Sequence, residues 1–317
     1  MIFDGHADIW IDVADYRKKG MKDVFKNRHL DKFKSGNING GIFVIWIDPY
    51  NTDDSKKRLI EIMEYTSTEI IENREIFKVV KDGNDLDIGL RENKMPIVMG
   101  IEGLKCIEEN IDMINLLYMY GIRHASLTWN EENRLATGVN GRKDRGLTKL
   151  GFEAIKKMER MGMIIDVSHA NEKTFWDIYN NTRKPFIASH SNCISICNCP
   201  RNLTNNQIKA IGERNGVIGI NIYRDFIHVD SDKQNIHEMI NHIEYIINLI
   251  GIDHIGFGFD FCEYLEEYDN EINISGVENA SKVQNIIEQL RYRGFSQNDI
   301  EKISYKNFER VIKEVLV

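Results

Sequence analysis

MPIVMGIEG, residues 95–103, is an apolar run that closes on one carboxylate, Glu102, set between two glycines. It has no polar face at either two-residue or 3.6-residue spacing. A short run of this kind reads as a strand buried on both sides, the condition of a parallel sheet covered by helices. Seven further runs share the form: MIFDGH (1–6), GIFVIWID (41–48), GIRHASLTW (121–129), MIIDVSH (163–169), PFIASHS (185–191), GVIGINIY (216–223) and HIGFGFDF (254–261). Each ends in polar or small residues.

Helical patterns lie between them. Asp53 to Lys81 carries Leu59, Ile62, Met63 and Ile70 at helical spacing; Leu147 to Met161 and Ile236 to Ile250 behave likewise. Ser296-Gln297-Asn298-Asp299 reads as a helix start before Ile300 to Val315, and a further helix is expected from Thr204. Strands alternating with helices imply parallel strands joined by crossovers. Eight strands, most followed by a candidate helix, predict an α/β fold, a (β/α)8 TIM-type barrel. No linker, repeat or low-complexity tract divides the chain, so one domain over residues 1–317 is expected. Arg17–Asn39 and Asn130–Arg145 read as excursions at the strand ends.

The 317 residues are 42% apolar and 28% charged with four prolines, enough to bury a large core. A net charge of −8 argues against nucleic acid, whose phosphates need clustered Lys and Arg. There is no opening apolar segment of signal-peptide length, and no run of about 18 apolar residues that could span a bilayer. The expectation is a cytoplasmic protein with no membrane partner, whose five cysteines are reduced thiols. CISICNC (193–199) suggests a metal knuckle, but no second cysteine cluster accompanies it.

The downstream ends of the strands carry the chemistry. They hold His6 and Asp8, then Glu102, then Asp166, Ser168 and His169, then Ser189 and His190, and finally Asp260. In a parallel barrel these ends meet on the face that bears active sites. Singly, each has a plain structural alternative. His6 and Asp8 could form a surface pair, His169 and His190 could be satisfied by backbone carbonyls, Glu102 could cap a helix, and Asp260 could bind a loop. Jointly, the carboxylates would repel one another and lose hydration unless cations neutralised them. Imidazoles mixed with carboxylates suit zinc or a similar ion. The donors outnumber the needs of one tetrahedral ion, so two metals are expected. Glu102 would bridge an ion on His6 and Asp8 to a second ion on His169 and His190. Water between two such ions, roughly 3.5–4 Å apart, is acidified enough to act as a hydroxide nucleophile, leaving Asp260 to handle protons. His124, five residues before Trp129, reads as a packed core histidine.

Taken together, DGHADIW, GIEG, GLTKLGFEAIKKMERMGMIIDVSHAN, PFIASHSN, CPRNLT and HIGFGFDF resemble the membrane dipeptidase (renal dipeptidase) family of zinc peptidases. The likeness runs in order from residue 4 to about residue 262. It implies a (β/α)8 barrel with two Zn2+ ions that hydrolyses dipeptides, often with a D-residue in second place. By position, His6 and Asp8 match ligands of the first metal, Glu102 the bridge, and His169 and His190 ligands of the second. Asp260 matches the acid that protonates the leaving amine, and Arg201 the residue that grips the substrate carboxylate. A guanidinium fork suits that task on chemical grounds as well.

One position departs from the pattern. Many family members read LTH where this chain has SLTWNEEN, so Trp129 stands in place of a histidine thought to polarise the scissile carbonyl. An indole N–H donates a hydrogen bond but carries no charge, and losing such a donor costs about 10²–10³-fold in rate. Asn130, Asn133 or the metal would have to compensate. The loops Asn130–Arg145 and Tyr223–Asp232, rich in Asn, Arg, Gly and Asp, suggest a polar site for small substrates. Two alternatives stand beside the dipeptidase. One is a metal-dependent amidohydrolase or phosphoesterase on the same barrel, disfavoured because such enzymes usually open with HxH rather than HxD. The other is a weakened barrel that only binds. A homodimer is the expectation for assembly.

Overall fold

The computed structural model describes residues 1–47, 54–265 and 272–316. Asp48 at the end of the second run, Asp53 at the expected start of the first long helix, and Val317 lie outside them. Eight strands form one parallel sheet: β1 (Ile2–Ala7), β2 (Ile38–Trp46), β3 (Phe77–Val79), β4 (Met95–Glu102), β5 (Ile122–Ser126), β6 (Ile164–Asp166), β7 (Ile218–Ile220) and β8 (Ile255–Phe257). The ladder order is β6-β5-β4-β2-β1-β8-β7, with β3 paired to the start of β4. Single parallel bridges close it: Asp166 pairs with Ile187, and Ala188 with Ile218. The chain at 187–188 is therefore the stave between β6 and β7. The eight staves of this ring are the eight apolar runs of the sequence, and the fold is a TIM-type α/β barrel.

Two corrections follow. The segment expected to be helical to Lys81 leaves the helix after Glu72, and Phe77–Val79 becomes the short strand β3, with Phe77 buried in the core. The span Arg17–Asn39 is no plain loop. It completes the helix Ile9–Lys18, adds the short helices Val24–Arg28 and Leu30–Gly36, and enters β2 at Ile38.

Elsewhere the local chemistry of the chain sets the boundaries. Thr148 caps Lys149–Met161 by accepting from the Gly151 N–H, and Gly162, at φ 73°, ends the helix in the left-handed region. Asn235 caps Ile236–Ile250, and Thr204 and Gln207 form a reciprocal capping box on Asn205–Glu213. Ser296 and Asp299 do the same for Gln297–Glu301, which continues through a wide turn at Lys302–Lys306 into Asn307–Val315. Most buried apolar side chains join one cluster spanning strands and helices. A smaller one joins Ile42, Val44, Val98, Ile164, Ile187 and Val217 to Phe308, Val311 and Ile312 of the last helix. Among the described residues no helix is long and apolar enough to cross a membrane.

Two features bear directly on the upper face of the barrel. A Cβ at Gly219 or Gly258 would lie 1.9 or 1.7 Å from the Ser189 carbonyl oxygen, so both glycines are needed for the backbone beside His190 to pack so closely. His242, buried on Ile236–Ile250, accepts the Cys193 N–H on Nδ1 at 3.1 Å and donates from Nε2 to the Ile227 carbonyl at 2.9 Å. It thereby ties down the segment after His190. Burial lowers its pKa from 6.5 to about 4. The unfolded chain thus binds the extra proton first, and stability should fall as pH drops from 6.5 towards 4, by about 3 kcal/mol at most. Urea unfolding across that range should show this loss, and His242→Gln, which cannot titrate, should make it smaller, leaving the share of His169 and His190, which burial also pushes down.

Candidate active site

β1 carries His6 and hands Asp8 to the start of the helix Ile9–Lys18. β4 ends on Glu102, and Gly103, at φ 80°, turns the chain away at once. Ser168 and His169 follow β6, Ser189 and His190 follow the bridged stave, and Asp260 follows β8 with an unusual φ of 58°. The face that the sequence implied therefore exists, and its side chains converge.

Glu102 Oε1 is the focus. It lies 2.8 Å from His169 Nε2, 3.3 Å from His190 Nε2 and 3.5 Å from His6 Nε2. His6 Nε2 is in turn 3.7 Å from Asp8 Oδ2, and the Nε2 atoms of His169 and His190 are 2.9 Å apart. The other ring nitrogens are already engaged. His169 Nδ1 meets Asn130 Oδ1 at 2.8 Å, so it carries the proton; the Ser189 hydroxyl takes His190 Nδ1 at 2.7 Å and lies 3.2 Å from His6 Nδ1. Ser189 is held by Asp166, whose carboxylate accepts from its hydroxyl at 2.5 Å, from its N–H at 3.0 Å and from the Ser168 hydroxyl at 2.8 Å. His124 completes this layer, with Nε2 at 3.0 Å from Asp166 Oδ2. It is buried as expected, yet it is part of the site's support.

The electrostatics follow from burial and crowding. Burial alone would lower the His6 pKa, but Glu102, Asp8 and Asp260 outweigh it and raise it to about 10. Burial raises Glu102 well above the ordinary range, with Asp8 and Asp260 adding to the effect against the pull of His6 and Arg201. Burial, reinforced by Asp8, lifts Asp260 to about 6 although His6, Asn221 and Arg201 oppose it. Burial also pushes His169 and His190 well down, helped by Arg201 and His6. Asp166 goes the other way: despite its burial, His124 and Ser189 hold it below the usual carboxylate range. Beneath His6, the buried Asp4 accepts from the N–H groups of His6 and Phe259, and desolvation lifts it to about 7.

These donors fit a divalent cation. His6 Nε2, Asp8 Oδ1 and Glu102 Oε1 are buried without a hydrogen-bond partner, a costly state that a cation relieves. Two overlapping sets have ligand atoms within 4.8 Å of one another: His6 with Glu102 and His190, and His6 with Asp8 and Asp260. Asp260, expected from its position only to handle protons, thus sits close enough to Asp8 to share an ion. No cysteine belongs to either set among the described residues. Cys193 and Cys197 point instead to the carbonyls of His242 and Asp225.

Above the donors opens a cavity of about 310 Å³. Asp8, Glu102, His169, Arg201, Asp225 and Asp260 form its charged part; Trp46, Trp129, Tyr223, Phe226, Leu265 and Ile272 form the rest, with Asn130 and Cys262. The two loops expected to make the site polar do contribute Asn130 and Asp225, but Tyr223 and Phe226 come from them as well, so the cavity has aromatic walls beside its polar groups. The polar side chains of those loops are largely spent on the loops themselves. Asn133 binds the Leu127 carbonyl and the N–H groups of Leu135 and Ala136, which removes it as a compensating donor. Arg145 spans Asn133, Ala136 and Thr137. Asn130 lines the cavity with its carbonyl turned to His169. Trp129 packs between Trp46 and His169, with ring centroids 5.6 and 6.0 Å away. Arg201 is buried, with its guanidinium on the carbonyls of Ser168 and His190 and its Nε without a partner. Trp46 and Cys262 were overlooked in the sequence. Trp46 could have been found by the strand-end rule, since it closes β2, and Cys262 by its place two residues after Asp260.

The model of the family described as membrane dipeptidase (peptidase family M19) matches residues 1–316. A Klebsiella pneumoniae protein, described as uncharacterised and encoded in the pqqA 5′ region, is 34% identical over 235 residues, 71% of this chain and 84% of that one. An uncharacterised dipeptidase of Schizosaccharomyces pombe is 30% identical over 80% of this chain, which spans 62% of that protein's length. Among solved structures, a metallo peptidase from Rhodobacter sphaeroides, liganded with a phosphinate mimic of the dipeptide L-Ala-D-Ala, superposes with a TM-score of 0.88. It covers 99% of each chain at 22% identity, a likeness of fold.

Asn130 holds the His169 ring and Ser189 the rings of His190 and His6, without reaching the focus themselves. Asn130→Ala and Ser189→Ala should each weaken zinc binding by about 10–100-fold, measured by competition with a chromophoric chelator.

Proposed function

Since the chain belongs to the membrane dipeptidase family, peptidase family M19, we propose that it is a binuclear zinc dipeptidase. The observation that carries this reading is the convergence of three imidazole Nε2 atoms within 3.5 Å of one Glu102 oxygen. His6 and Asp8 would hold one ion, His169 and His190 the other, and Glu102 would bridge them. Bound there, two divalent ions supply an acidified water and an electrophile for the scissile carbonyl.

The remaining work falls to the protein's own groups. Arg201, steadied by two backbone carbonyls, presents donors to the free carboxylate of a dipeptide and so sets the distance from chain end to scissile bond. Asp260, which lines the cavity beside Asp8 and Glu102, is placed to protonate the leaving amine. The Asn221 amide donates to Asp260 Oδ2 at 2.9 Å and fixes the carboxyl's direction. Trp129 and Trp46 exclude water from the reacting centre, and Trp129 offers an N–H but no charge where many family members carry histidine. The dipeptide mimic bound by the Rhodobacter protein supports including D-residues in second place among the substrates to test.

Zinc-loaded protein should carry close to about two metals per chain and release amino acids from L,L- or L,D-dipeptides. Glu102→Ala should lose both metal and turnover; retained turnover would end the proposal. Asp260→Asn should keep its metal and lose roughly 10²–10⁴-fold in kcat, whereas loss of zinc would assign Asp260 to the ligand set.

A further inference from the structure

The walls of the cavity differ from its floor, and one of them is tied to Arg201. The Arg201 guanidinium carbon lies 5.4 Å from the Phe226 ring centre, and the Tyr223 ring packs on Phe226 at 4.6 Å. This wall is rigidly held. Asn202 donates to the Phe226 carbonyl at 2.8 Å, the Tyr223 N–H meets Asn221 Oδ1 at 2.5 Å, and the Arg224 N–H binds the Ile272 carbonyl at 3.1 Å. Ile272 thereby joins Tyr223 and Phe226 along the same side of the cavity.

The C-terminal side chain of a dipeptide branches from the carbon that bears its carboxylate. If Arg201 holds that carboxylate, the side chain must project within a few ångströms of the guanidinium, where Phe226, Tyr223 and Ile272 lie. We infer that this wall is the receptor for the C-terminal side chain, and that the substrates are dipeptides ending in a large apolar or aromatic residue. The inference rests on the dipeptidase reading of the same site.

The competing side chains fit this wall less well. A lysine side chain there would meet the Arg201 cation as well as the Asp225 carboxylate, which also lines the cavity, and its ammonium would lose hydration against the apolar wall. An acidic side chain would compete with the main-chain carboxylate for Arg201 and shift the scissile bond out of register. Glycine would leave the wall unfilled. A phenyl or isobutyl group covers it and is removed from water.

The test is a series of Ala-Xaa dipeptides, with Xaa as Gly, Ala, Leu, Phe, Asp and Lys, given to the zinc-loaded protein. Phe and Leu should exceed Gly, Asp and Lys by roughly 10–100-fold in kcat/KM, chiefly through KM. Tyr223→Ala and Phe226→Leu should narrow the Phe-to-Gly ratio. Equal rates across the series, or a lead for Asp or Lys, would overturn the inference while leaving the dipeptidase intact. Calorimetric binding of the same dipeptides separates the two claims. If none is cleaved, tighter binding of Ala-Phe than Ala-Gly would retain the wall's role and reject the hydrolase, and equal binding would reject both.

Discussion

Glu102 draws three imidazole nitrogens around one oxygen in a place that water scarcely reaches. With Asp8 and Asp260 beside it, this is too much negative charge to bury without compensation. Without a cation, the balance falls to a proton on His6, which its carboxylate neighbours raise to about 10, and to raised pKa values on Glu102 and Asp260. Metal binding must displace such a proton, since only a neutral imidazole can be a ligand. The arrangement around it is therefore understandable as a scaffold that keeps these charges together in advance of the ion.

That scaffold is centred on Asp166. One carboxylate collects His124, Ser168 and Ser189, and Ser189 faces the inner nitrogens of both His6 and His190. The ring of strands brings β5, β6 and the 187–188 stave side by side, so these contacts come directly from register. Gly219 and Gly258 permit the Ser189 carbonyl to pack against the neighbouring staves. Stability and site geometry thus share the same atoms.

Above the floor, the walls set a different requirement. Phe226 faces both the cavity and the Arg201 guanidinium, so one ring supports Arg201 and forms apolar surface beside it. Trp46 and Trp129 pack on each other and on His169, and they line the cavity together with Glu102. Recognition of a free chain end and of an apolar side chain would then be linked by a single aromatic contact.

Much of this was legible in the order of residues alone. The eight apolar runs became the eight staves, because parallel strands buried on both faces leave an unbroken apolar trace. Their terminal residues met on one rim, because parallel direction sends every downstream end the same way. Caps at Thr148, Thr204 and Ser296 were written locally and formed locally. What the sequence could not carry was anything decided by contacts between distant segments. The strand at Phe77–Val79 exists because the start of β4 offers it a partner. Loops rich in Asn and Arg left an aromatic cavity because their polar groups satisfy their own turns, and Asn130 turned to His169, 39 positions away. Local chemistry determined the elements and their ends; only packing in three dimensions decided which side chains each end would face.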